Sequence, residues 1–269
     1  MLLGHGISYS ASPAMHNAGF RAVGLDWTYE LLDVPPEGLA SAVASLRGPA
    51  LVGANVTIPH KVVVMALLDE LEGDAVHAGA VNTIRREGER LVGSNTDVTG
   101  VRVALGAAGV EPAGARAVVL GVGGSARAAA VVLRDADVTF VARRPAEGAG
   151  LPGRVLAWDE PWEPLVRHAD VVLNATPLGR RGEMPMRPAY LPPLGAVIDL
   201  VYVDGGTPLV RRARQLGIRC VDGWSILLAQ GAAAFQAWTS LPAPLDAMRG
   251  ALPAAAPSPP EGQGRGGRA

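Results

Sequence analysis

A single lysine is the first residue in this chain whose type points to chemistry. Lys61 is the one lysine in 269 residues, and the other members of the 24 Lys and Arg residues are arginines. An ammonium is a compact charge that can give up and take back a proton, which a guanidinium cannot do at ordinary pH. We therefore interpret Lys61 as a candidate acid or base. The plainer alternative is a solvated lysine on a turn between a strand and a helix.

Two hydrogen-bonding side chains precede this lysine. Alternate residues of a β-strand face the same side, so Asn55 and Thr57 share one face and their apolar neighbours share the other. The apolar run after Lys61 predicts a helix over residues 61–71, with the lysine at its positive N-terminal end, where a protonated amine is disfavoured. These neighbours favour the chemical interpretation of Lys61.

Composition limits the kinds of partner. A net charge of −1 and a pI near 6.5 provide no positive surface for nucleic acid or for an anionic membrane. No uncharged apolar run approaches the roughly 20 residues that cross a bilayer. Hydrophobic residues make up 49% of the chain, enough for one large core or two modest ones, and the five histidines are not spaced as metal ligands. We expect a small-molecule partner and no metal.

Cysteine usage and the first residues predict the compartment. Cys220 is the one cysteine and cannot form an internal disulfide, and the start of the sequence lacks the basic and apolar regions of a secretory signal. We therefore expect a cytoplasmic protein. Pairing of open strand edges would allow a homodimer, although no patch in the sequence requires one.

Short apolar runs alternate with longer segments rich in alanine and leucine. This alternation predicts an α/β fold built from βαβ units with parallel strands. The predicted strands include residues 51–52, 117–120, 138–141, 171–173 and 196–201. The predicted helices are residues 14–23, 36–45, 61–71, 98–108, 125–133, 207–216 and 226–238. Loops are expected at 146–154 and 179–193, and the Pro-, Ala- and Gly-rich chain from about Pro242 is expected not to order itself.

A glycine-rich turn follows the predicted strand at 117–120. Residues 121–126 read Gly-Val-Gly-Gly-Ser-Ala and match the G-x-G-x-x-A pattern between a strand and a helix, where the backbone can approach a pyrophosphate. The next strand is followed by Arg143 and Arg144 instead of the acid that binds an NAD ribose, and two guanidiniums suit the 2′-phosphate of NADP. The plainer alternatives are a tight structural turn and two solvated arginines. We predict NADP as the cofactor.

Further polar side chains stand at the ends of predicted strands, the edge at which open α/β sheets bind ligands. Each alone would be interpreted as a turn or a cap, and Asp97 would serve as a cap for the helix that begins near Val98. Together they indicate a binding site. They are Ser10, Ser12, Asn82, the segment 95–97, the segment 174–177, the segment 199–202 and Gln230.

These residues, in this order, resemble the motifs of the shikimate dehydrogenases over nearly the whole chain through about Trp238. The matching segments are residues 10–17, 53–61, 79–83, 95–97, 121–126, 174–179, 199–202 and 222–230. The resemblance implies a two-domain α/β enzyme, with an N-terminal α/β substrate domain, a Rossmann NADP-binding domain, and C-terminal helices that return to the first domain. The implied bounds are 1–98 with 223–250 for the substrate domain, 99–222 for the Rossmann domain, and 251–269 for a disordered tail.

The resemblance also implies a role for each matching residue. Lys61 and Asp97 would be the acid–base pair in a reversible, NADPH-dependent reduction of 3-dehydroshikimate to shikimate, part of chorismate and aromatic amino acid biosynthesis. The implied substrate-binding residues are Ser10, Ser12, Asn55, Thr57, Lys61, Asn82, Asp97, Tyr202 and Gln230. The implied NADP-binding residues are Gly121, Gly123, Gly124, Ser125, Ala126, Arg143, Arg144, Thr176, Val201 and Gly223.

Two positions depart from the family pattern, and two other functions stay open. Tyr9 stands where the family usually has histidine, and Arg180 follows Gly179 where methionine is common. A quinate dehydrogenase would share most of these residues, although the pair of serines before Pro13 favours shikimate. An NADP-binding sensor without catalysis would share the fold but would need neither the lysine nor its acid.

Overall fold

Two six-stranded sheets follow one another along the chain, as the alternation of strand and helix patterns predicts. The computed structural model describes residues 1–253, so residues 254–269 of the predicted tail lie outside the described residues. The strands of the first sheet are β1 (Leu2–Gly4), β2 (Leu31–Asp33), β3 (Gly53–Val56), β4 (Glu70–Leu71), β5 (Thr83–Glu87) and β6 (Arg90–Ser94). The accompanying helices are α1 (Ser12–Ala22), α2 (Leu39–Ser45), α3 (Asp74–Ala78) and α4 (Asp97–Ala107).

The first sheet has the strand order β2-β1-β3-β5-β6-β4. Its strands run parallel except β5, which runs antiparallel to both β3 and β6. The hairpin between β5 and β6 turns at Gly88, whose φ of +61° is a conformation that glycine adopts without a steric cost. Because β3 is paired on both sides, the backbone of Asn55 is held firmly at the carboxyl end of a central strand.

The second sheet is entirely parallel and has the order β12-β11-β10-β7-β8-β9. Its strands are β7 (Arg116–Leu120), β8 (Asp137–Ala142), β9 (Arg154–Ala157), β10 (Val171–Asn174), β11 (Ala196–Asp199) and β12 (Arg219–Val221), with helices α5 (Gly124–Val132), α6 (Glu163–Val166) and α7 (Pro208–Gln215) between them. The order reverses between β7 and β10, and the crevice at such a reversal is where doubly wound sheets bind ligands. The glycine-rich turn leaves β7 at this point.

The last helices bring the chain back to the first sheet. They are α8 (Gly223–Thr239) and α9 (Leu245–Gly250). Helix α8 packs along α4 and also touches α1, and Trp238 near its end donates a hydrogen bond from Nε1 to the Ile84 carbonyl of β5 at 3.0 Å. The predicted two-domain α/β fold with returning helices is therefore confirmed. Within residues 1–253, every helix is too short or too polar to cross a bilayer.

The predicted helix over residues 61–71 is wrong. The chain instead makes a short 3-10 turn at Val63–Leu67 and then the edge strand at Glu70–Leu71. The Lys61 carbonyl accepts a hydrogen bond from Val81 N at 2.7 Å and is not free for a helical bond, and the three valines that follow the lysine are β-branched and disfavour a helix. Lys61 therefore does not lie at a helix N-terminus, and the helix field expected there does not act on it.

Helix α9 contradicts the expectation that the chain from about Pro242 does not order itself. The Met248 side chain is completely buried, and a Cβ atom on Gly19 of α1 would lie only 3.1 Å from its Cγ. Six residues are too few to show helical periodicity in the sequence. Other short elements were also missed, and the strand expected at 51–52 begins instead at Gly53. The missed elements include α3, α6, β4, β9 and β12.

Candidate active site

Lys61 and Asp97 form a buried ion pair. Lys61 Nζ donates to Asp97 Oδ2 at 2.5 Å, and each side chain keeps only about a tenth of its surface exposed. Lys61 is placed by the segment after β3, where the His60 ring nitrogen Nε2 lies 2.7 Å from the Val34 carbonyl. Asp97 lies in the first turn of α4, whose positive N-terminal end favours a carboxylate. The lysine is thus held beside an acid, and the helix terminus acts on that acid.

Asn82 fixes the orientation of the acid. Its Nδ2 donates to Asp97 Oδ1 at 2.8 Å and lies 3.0 Å from Thr96 Oγ1, while its Oδ1 accepts from Thr96 N at 2.7 Å. The Gln230 side-chain carbonyl of α8 lies 3.4 Å from the same Nδ2. Both carboxylate oxygens of Asp97 therefore have fixed donors, and the group can act in one orientation only.

Asn55 is more fully engaged by the protein than the sequence suggests. Its Oδ1 accepts from the buried Tyr29 hydroxyl at 2.7 Å, and its Nδ2 donates to the Asn82 carbonyl at 3.1 Å and to Thr83 Oγ1 at 3.0 Å. Both amide hydrogens are committed, which leaves one acceptor lone pair for a ligand. Burial raises the pKa of Tyr29 well above its ordinary value, so the phenol stays a donor.

Three hydroxyls converge at the other end of the site. Ser10 Oγ donates to Ser12 Oγ at 3.2 Å, and the Tyr202 hydroxyl lies 3.5 Å from Ser10 Oγ. Ser12 begins α1, so the positive end of that helix lies here as well. Burial raises the pKa of Tyr202, with the nearby Arg180 charge acting against the shift, and the phenol therefore remains protonated. The group offers donors for an anion.

All nine predicted substrate-binding residues line one cleft between the two sheets. The cleft has a volume of about 160 Å³, which suits a small molecule. Four predicted cofactor residues also line it: Ser125, Thr176, Val201 and Gly223. Sequence reasoning gave no role to Tyr9 and Arg180, which line the cleft too. Tyr9 directly precedes Ser10 and Arg180 directly follows Gly179, and this proximity to matching motifs could have indicated that both residues line the cleft.

The glycine turn fits a pyrophosphate. Gly121 has a φ of +106°, which favours glycine, and a Cβ atom there would lie 3.2 Å from the Ala175 carbonyl oxygen. Gly123 caps α5 without a side chain, and the space where its Cβ would stand is open. The N–H groups of the first turn of α5, together with the positive end of that helix, are thus offered to an anion. Gly121 and Gly123 lie in this turn, and Gly124 and Ala126 lie in the first turn of α5. The binding of a pyrophosphate by these residues stays a prediction.

Ser125 differs from the other residues of the turn, because it reaches the ion pair. Its Oγ lies 3.2 Å from Lys61 Nζ and 3.5 Å from Asp97 Oδ2. The approach depends on Gly124, where a Cβ atom would lie 2.7 Å from the Lys61 Cβ. The turn is therefore packed directly against the lysine.

Arg143 and Arg144 lie at the carboxyl end of β8, beside the glycine turn. β7 and β8 pair in register from Arg116 with Asp137 to Leu120 with Val141, so both strands end at the same edge. Arg144 is exposed and pairs with Glu147 at 2.8 Å. Arg143 has no ion pair or side-chain hydrogen bond within residues 1–253 and is also exposed. The two cations fit a phosphate at this edge, and Arg143 is the one free to turn toward it.

A buried network holds the loops of Thr176 and Val201. Asp199 Oδ1 accepts from Asn174 Nδ2 at 2.9 Å and from Val201 N at 3.0 Å, while its Oδ2 accepts from Thr207 Oγ1 at 2.6 Å. Asn174 Oδ1 in turn accepts from the Thr176 hydroxyl at 2.7 Å. Burial raises the pKa of Asp199 to about 6. The two loops that face Lys61 across the cleft are thus tied to one carboxyl group.

Comparison with known proteins agrees with this architecture. The family model for the shikimate dehydrogenase substrate binding domain matches residues 2–84, and that for the shikimate 5'-dehydrogenase C-terminal domain matches residues 223–252. The shikimate dehydrogenase (NADP(+)) of Symbiobacterium thermophilum is 42% identical, over 94% of this chain and 93% of that protein. The enzyme of the same name from Rubrobacter xylanophilus is 44% identical, over 93% of this chain and 94% of that protein.

Solved structures extend the comparison. Shikimate 5-dehydrogenase from Thermus thermophilus, in complex with NADP(H) and shikimate, is 36% identical with a TM-score of 0.82, over 93% of this chain and 96% of that one. A ligand-free 5-ketofructose reductase of Gluconobacter sp. is 31% identical with a TM-score of 0.77, over 93% of this chain and 97% of that one. The identity and coverage confirm the resemblance seen in the motifs, and the chain belongs to the shikimate dehydrogenase family.

Proposed function

We propose that this protein catalyses the reversible, NADP-dependent interconversion of 3-dehydroshikimate and shikimate, within chorismate and aromatic amino acid biosynthesis. The observation that carries the proposal is the buried Lys61–Asp97 pair, which faces a cleft with hydroxyl and amide groups on one side and the glycine turn on the other. The relatives that bear the name shikimate dehydrogenase (NADP(+)) support the same reaction.

Lys61 and Asp97 would carry out the proton transfer. NADPH, when bound, supplies the hydride that reduces the carbonyl carbon. The Lys61 ammonium donates a hydrogen bond to the carbonyl oxygen, stabilises the negative charge that develops on it, and delivers the proton. Asp97 holds the ammonium in place between turnovers. In the oxidative direction the neutral amine takes the hydroxyl proton.

The remaining cleft residues would orient the substrate ring. The carboxylate would lie at the end with Ser10, Ser12 and Tyr202, where three hydroxyls can donate. The ring hydroxyls would then face the amides of Asn82 and Gln230 and the hydroxyl of Thr57, with Asn55 as an acceptor. Bound between these two sets of groups, the reacting carbon would be held beside the proton donor.

The cofactor would lie along the edge of the second sheet. The pyrophosphate would bind the amides of Gly121, Gly123, Gly124, Ser125 and Ala126, and the 2′-phosphate would bind Arg143 and Arg144. The nicotinamide end would reach the cleft beside Thr176, Val201 and Gly223. This division supports a substrate domain of residues 1–98 with 223–250 and an NADP domain of residues 99–222.

Two features predicted from the sequence belong to the same proposal. One is residence in the cytoplasm, and the other is a homodimer formed by strand-edge pairing. The edge strand β2 of the first sheet is open on one side, and Leu32 on it is partly exposed. Light scattering on the purified protein tests the dimer, and cell fractionation tests the compartment.

The decisive experiment follows the absorbance of reduced nicotinamide when purified protein is mixed with shikimate and NADP at mildly alkaline pH. A steady, shikimate-dependent rise is expected, with a slower rise on quinate. Lys61→Ala is expected to abolish turnover while NADP affinity stays within about twofold. Lys61→Arg is the matched control, since it keeps the charge but not the exchangeable proton, and it should also be inactive. A flat trace from folded, NADP-binding wild-type protein would sink the proposal in favour of a sensor.

A further inference from the structure

Arg180 is a cation in the cleft that no acid among residues 1–253 neutralises. It follows β10, in the loop after Gly179, and lines the same cleft as Ser10, Ser12 and Tyr202. None of the ion pairs formed within residues 1–253 includes it. Its Nε is shielded from solvent and has no hydrogen-bond partner there. A buried donor left without an acceptor costs about 1–3 kcal/mol, so an arriving acceptor would be bound favourably.

Tyr9 holds this guanidinium in place. The Arg180 Cζ lies 3.6 Å from the centroid of the Tyr9 ring, a cation–π contact that leaves the edge of the guanidinium free to donate. Tyr9 immediately precedes Ser10, and its ring lies 6.3 Å from that of Tyr202. The contact therefore places a cation from the second sheet beside Ser10 and Ser12 of the first half and the Tyr202 hydroxyl of the second.

The net charge of the cleft lining also indicates an anionic ligand. Its lining includes two permanent or near-permanent cations, Lys61 and Arg180, and one carboxylate, Asp97, which is already paired with Lys61. The lining as a whole thus carries one excess positive charge, contributed by Arg180. A ligand with a single carboxylate would balance it, and a guanidinium can bind a carboxylate through two parallel hydrogen bonds.

We propose that Arg180 is a specificity residue that binds the carboxylate of the substrate, together with Ser10, Ser12 and Tyr202. The inference rests on the proposed function and deepens it. It makes the negative charge of the ring substrate a requirement for tight binding, and it distinguishes shikimate from neutral polyols such as 5-ketofructose. Arg180 and Tyr202 lie in loops of the second sheet, whereas Ser10 and Ser12 lie beside the first, so the carboxylate would also join the two halves of the protein.

The test compares Arg180→Met with Arg181→Met, which removes an exposed arginine one residue further along. Each variant and the wild type are assayed with shikimate and with its methyl ester, which lacks the charge. Arg180→Met is expected to raise KM for shikimate about 10- to 100-fold and to leave KM for the ester within about twofold. Arg181→Met is expected to change neither value. Arg180→Lys, which keeps the charge and loses the planar fork, should recover part of the loss.

Two results would overturn the inference. One is an unchanged KM for shikimate in Arg180→Met, and the other is an equal rise for shikimate and ester, which would make Arg180 a structural contact only. Calorimetric titration of shikimate into the same proteins measures the difference in their affinity for shikimate without turnover. It can therefore also be applied to a variant with impaired catalysis. Wild-type protein that binds shikimate through Arg180 but does not oxidise it would refute the proposed reaction and keep this inference, whereas failure to bind shikimate would refute both.

Discussion

Lys61 illustrates why a buried ion pair is better understood as chemistry than as stability. Removing two charges from water is costly, and replacing such a pair with apolar residues often leaves stability unchanged or raises it. The Lys61–Asp97 pair nevertheless has every polar neighbour arranged around it, from Asn82 on one side to Ser125 on the other. Stability alone does not require this arrangement, because apolar residues in the same place would stabilise the fold equally well. The network therefore supports the role in proton transfer that we propose for this pair.

Asp199 is one residue that makes the free energy of unfolding depend on pH. Its pKa is raised from an ordinary 3.8 to about 6, because it is completely buried and the hydrogen bonds it accepts only partly offset that burial. The folded protein thus holds this proton more tightly than the unfolded chain between those two values. The stabilisation from this group is fully present below pH 3.8 and is lost as the pH rises through 6, in total about 3 kcal/mol.

Asp199→Asn removes this titration, so the free energy of unfolding of the wild type minus that of the variant should fall by about 2 kcal/mol from pH 4 to pH 7. Urea unfolding at unit pH intervals measures it. Asp170→Asn is the control of opposite sign, because hydrogen bonds from Arg116 lower the pKa of that carboxyl. Parallel curves for the wild type and Asp199→Asn would show that Asp199 does not titrate in this range.

At the scale of elements, the glycine turn before α5 does two separable things. Gly123 faces open space, where the proposed pyrophosphate would bind, whereas a methyl group added at Gly124 would lie 2.7 Å from the Lys61 side chain. One glycine thus gives room to a ligand, and the other gives room to a protein side chain. Substituting alanine at each position distinguishes the two.

Gly123→Ala should keep the midpoint of urea unfolding and raise KM for NADP, because its backbone angles suit alanine and only the ligand space is filled. Gly124→Ala should lower kcat by about tenfold or more, since the methyl group displaces Lys61 from its geometry. Steady-state kinetics with both substrates varied separates KM from kcat. Equal effects of the two substitutions on kcat and KM would contradict this division.

The elements that could be predicted are those whose formation depends only on residues that are neighbours in the sequence. The strand, glycine turn and helix over residues 116–132 are evident in the sequence because each requirement is met by the residues themselves. The helix expected at 61–71 failed because a distant group, the Val81 amide, takes the Lys61 carbonyl. Helix α9 was missed because its burial depends on α1.

The location of the candidate site could also be predicted from local features of the sequence, but its contacts between distant segments could not. Polar residues at the ends of strands identify a shared edge, since parallel strands must end together. The sequence does not show which of their hydrogen-bond donors remain available to a ligand, because that depends on residues far away in the chain. The commitment of the Asn55 amide to Tyr29 and Thr83, and the stacking of Arg180 on Tyr9, are contacts between segments far apart in the chain.

At the scale of the whole molecule, the two sheets are joined where α4 and α8 pack together. Helix α4 leaves the first sheet for the second, and α8 begins where the second sheet ends and returns to the first. The helices approach closely at Gly100, where a Cβ atom would lie 3.1 Å from Ile226 Cγ2 and 3.3 Å from the Ile226 carbonyl oxygen. This contact therefore controls the relative placement of both halves.

Gly100→Ala should destabilise the protein by about 1–2 kcal/mol and lower kcat, because the added methyl group pushes α8 away from α4. Gly106→Ala is the matched control on the same helix, since nothing lies within 4 Å of its Cβ position, and it should stabilise by up to about 1 kcal/mol with kcat unchanged. Thermal or urea unfolding with kinetics on both proteins gives the comparison. Equal stabilisation by both substitutions would mean that the two helices are not tightly packed.

The contact of α4 and α8 is placed to act as the pivot between the two halves of the molecule. Both crossings between the halves lie beside the contact of α4 and α8, so a rotation that opens the cleft pivots there. Asp97 begins one of these helices, and Gln230 lies on the other. Arg180 stands on the opposite wall of the cleft, in a loop of the second sheet. The pair that we propose for proton transfer lies entirely on the first-sheet side of this pivot, so such a rotation would leave Lys61 and Asp97 aligned.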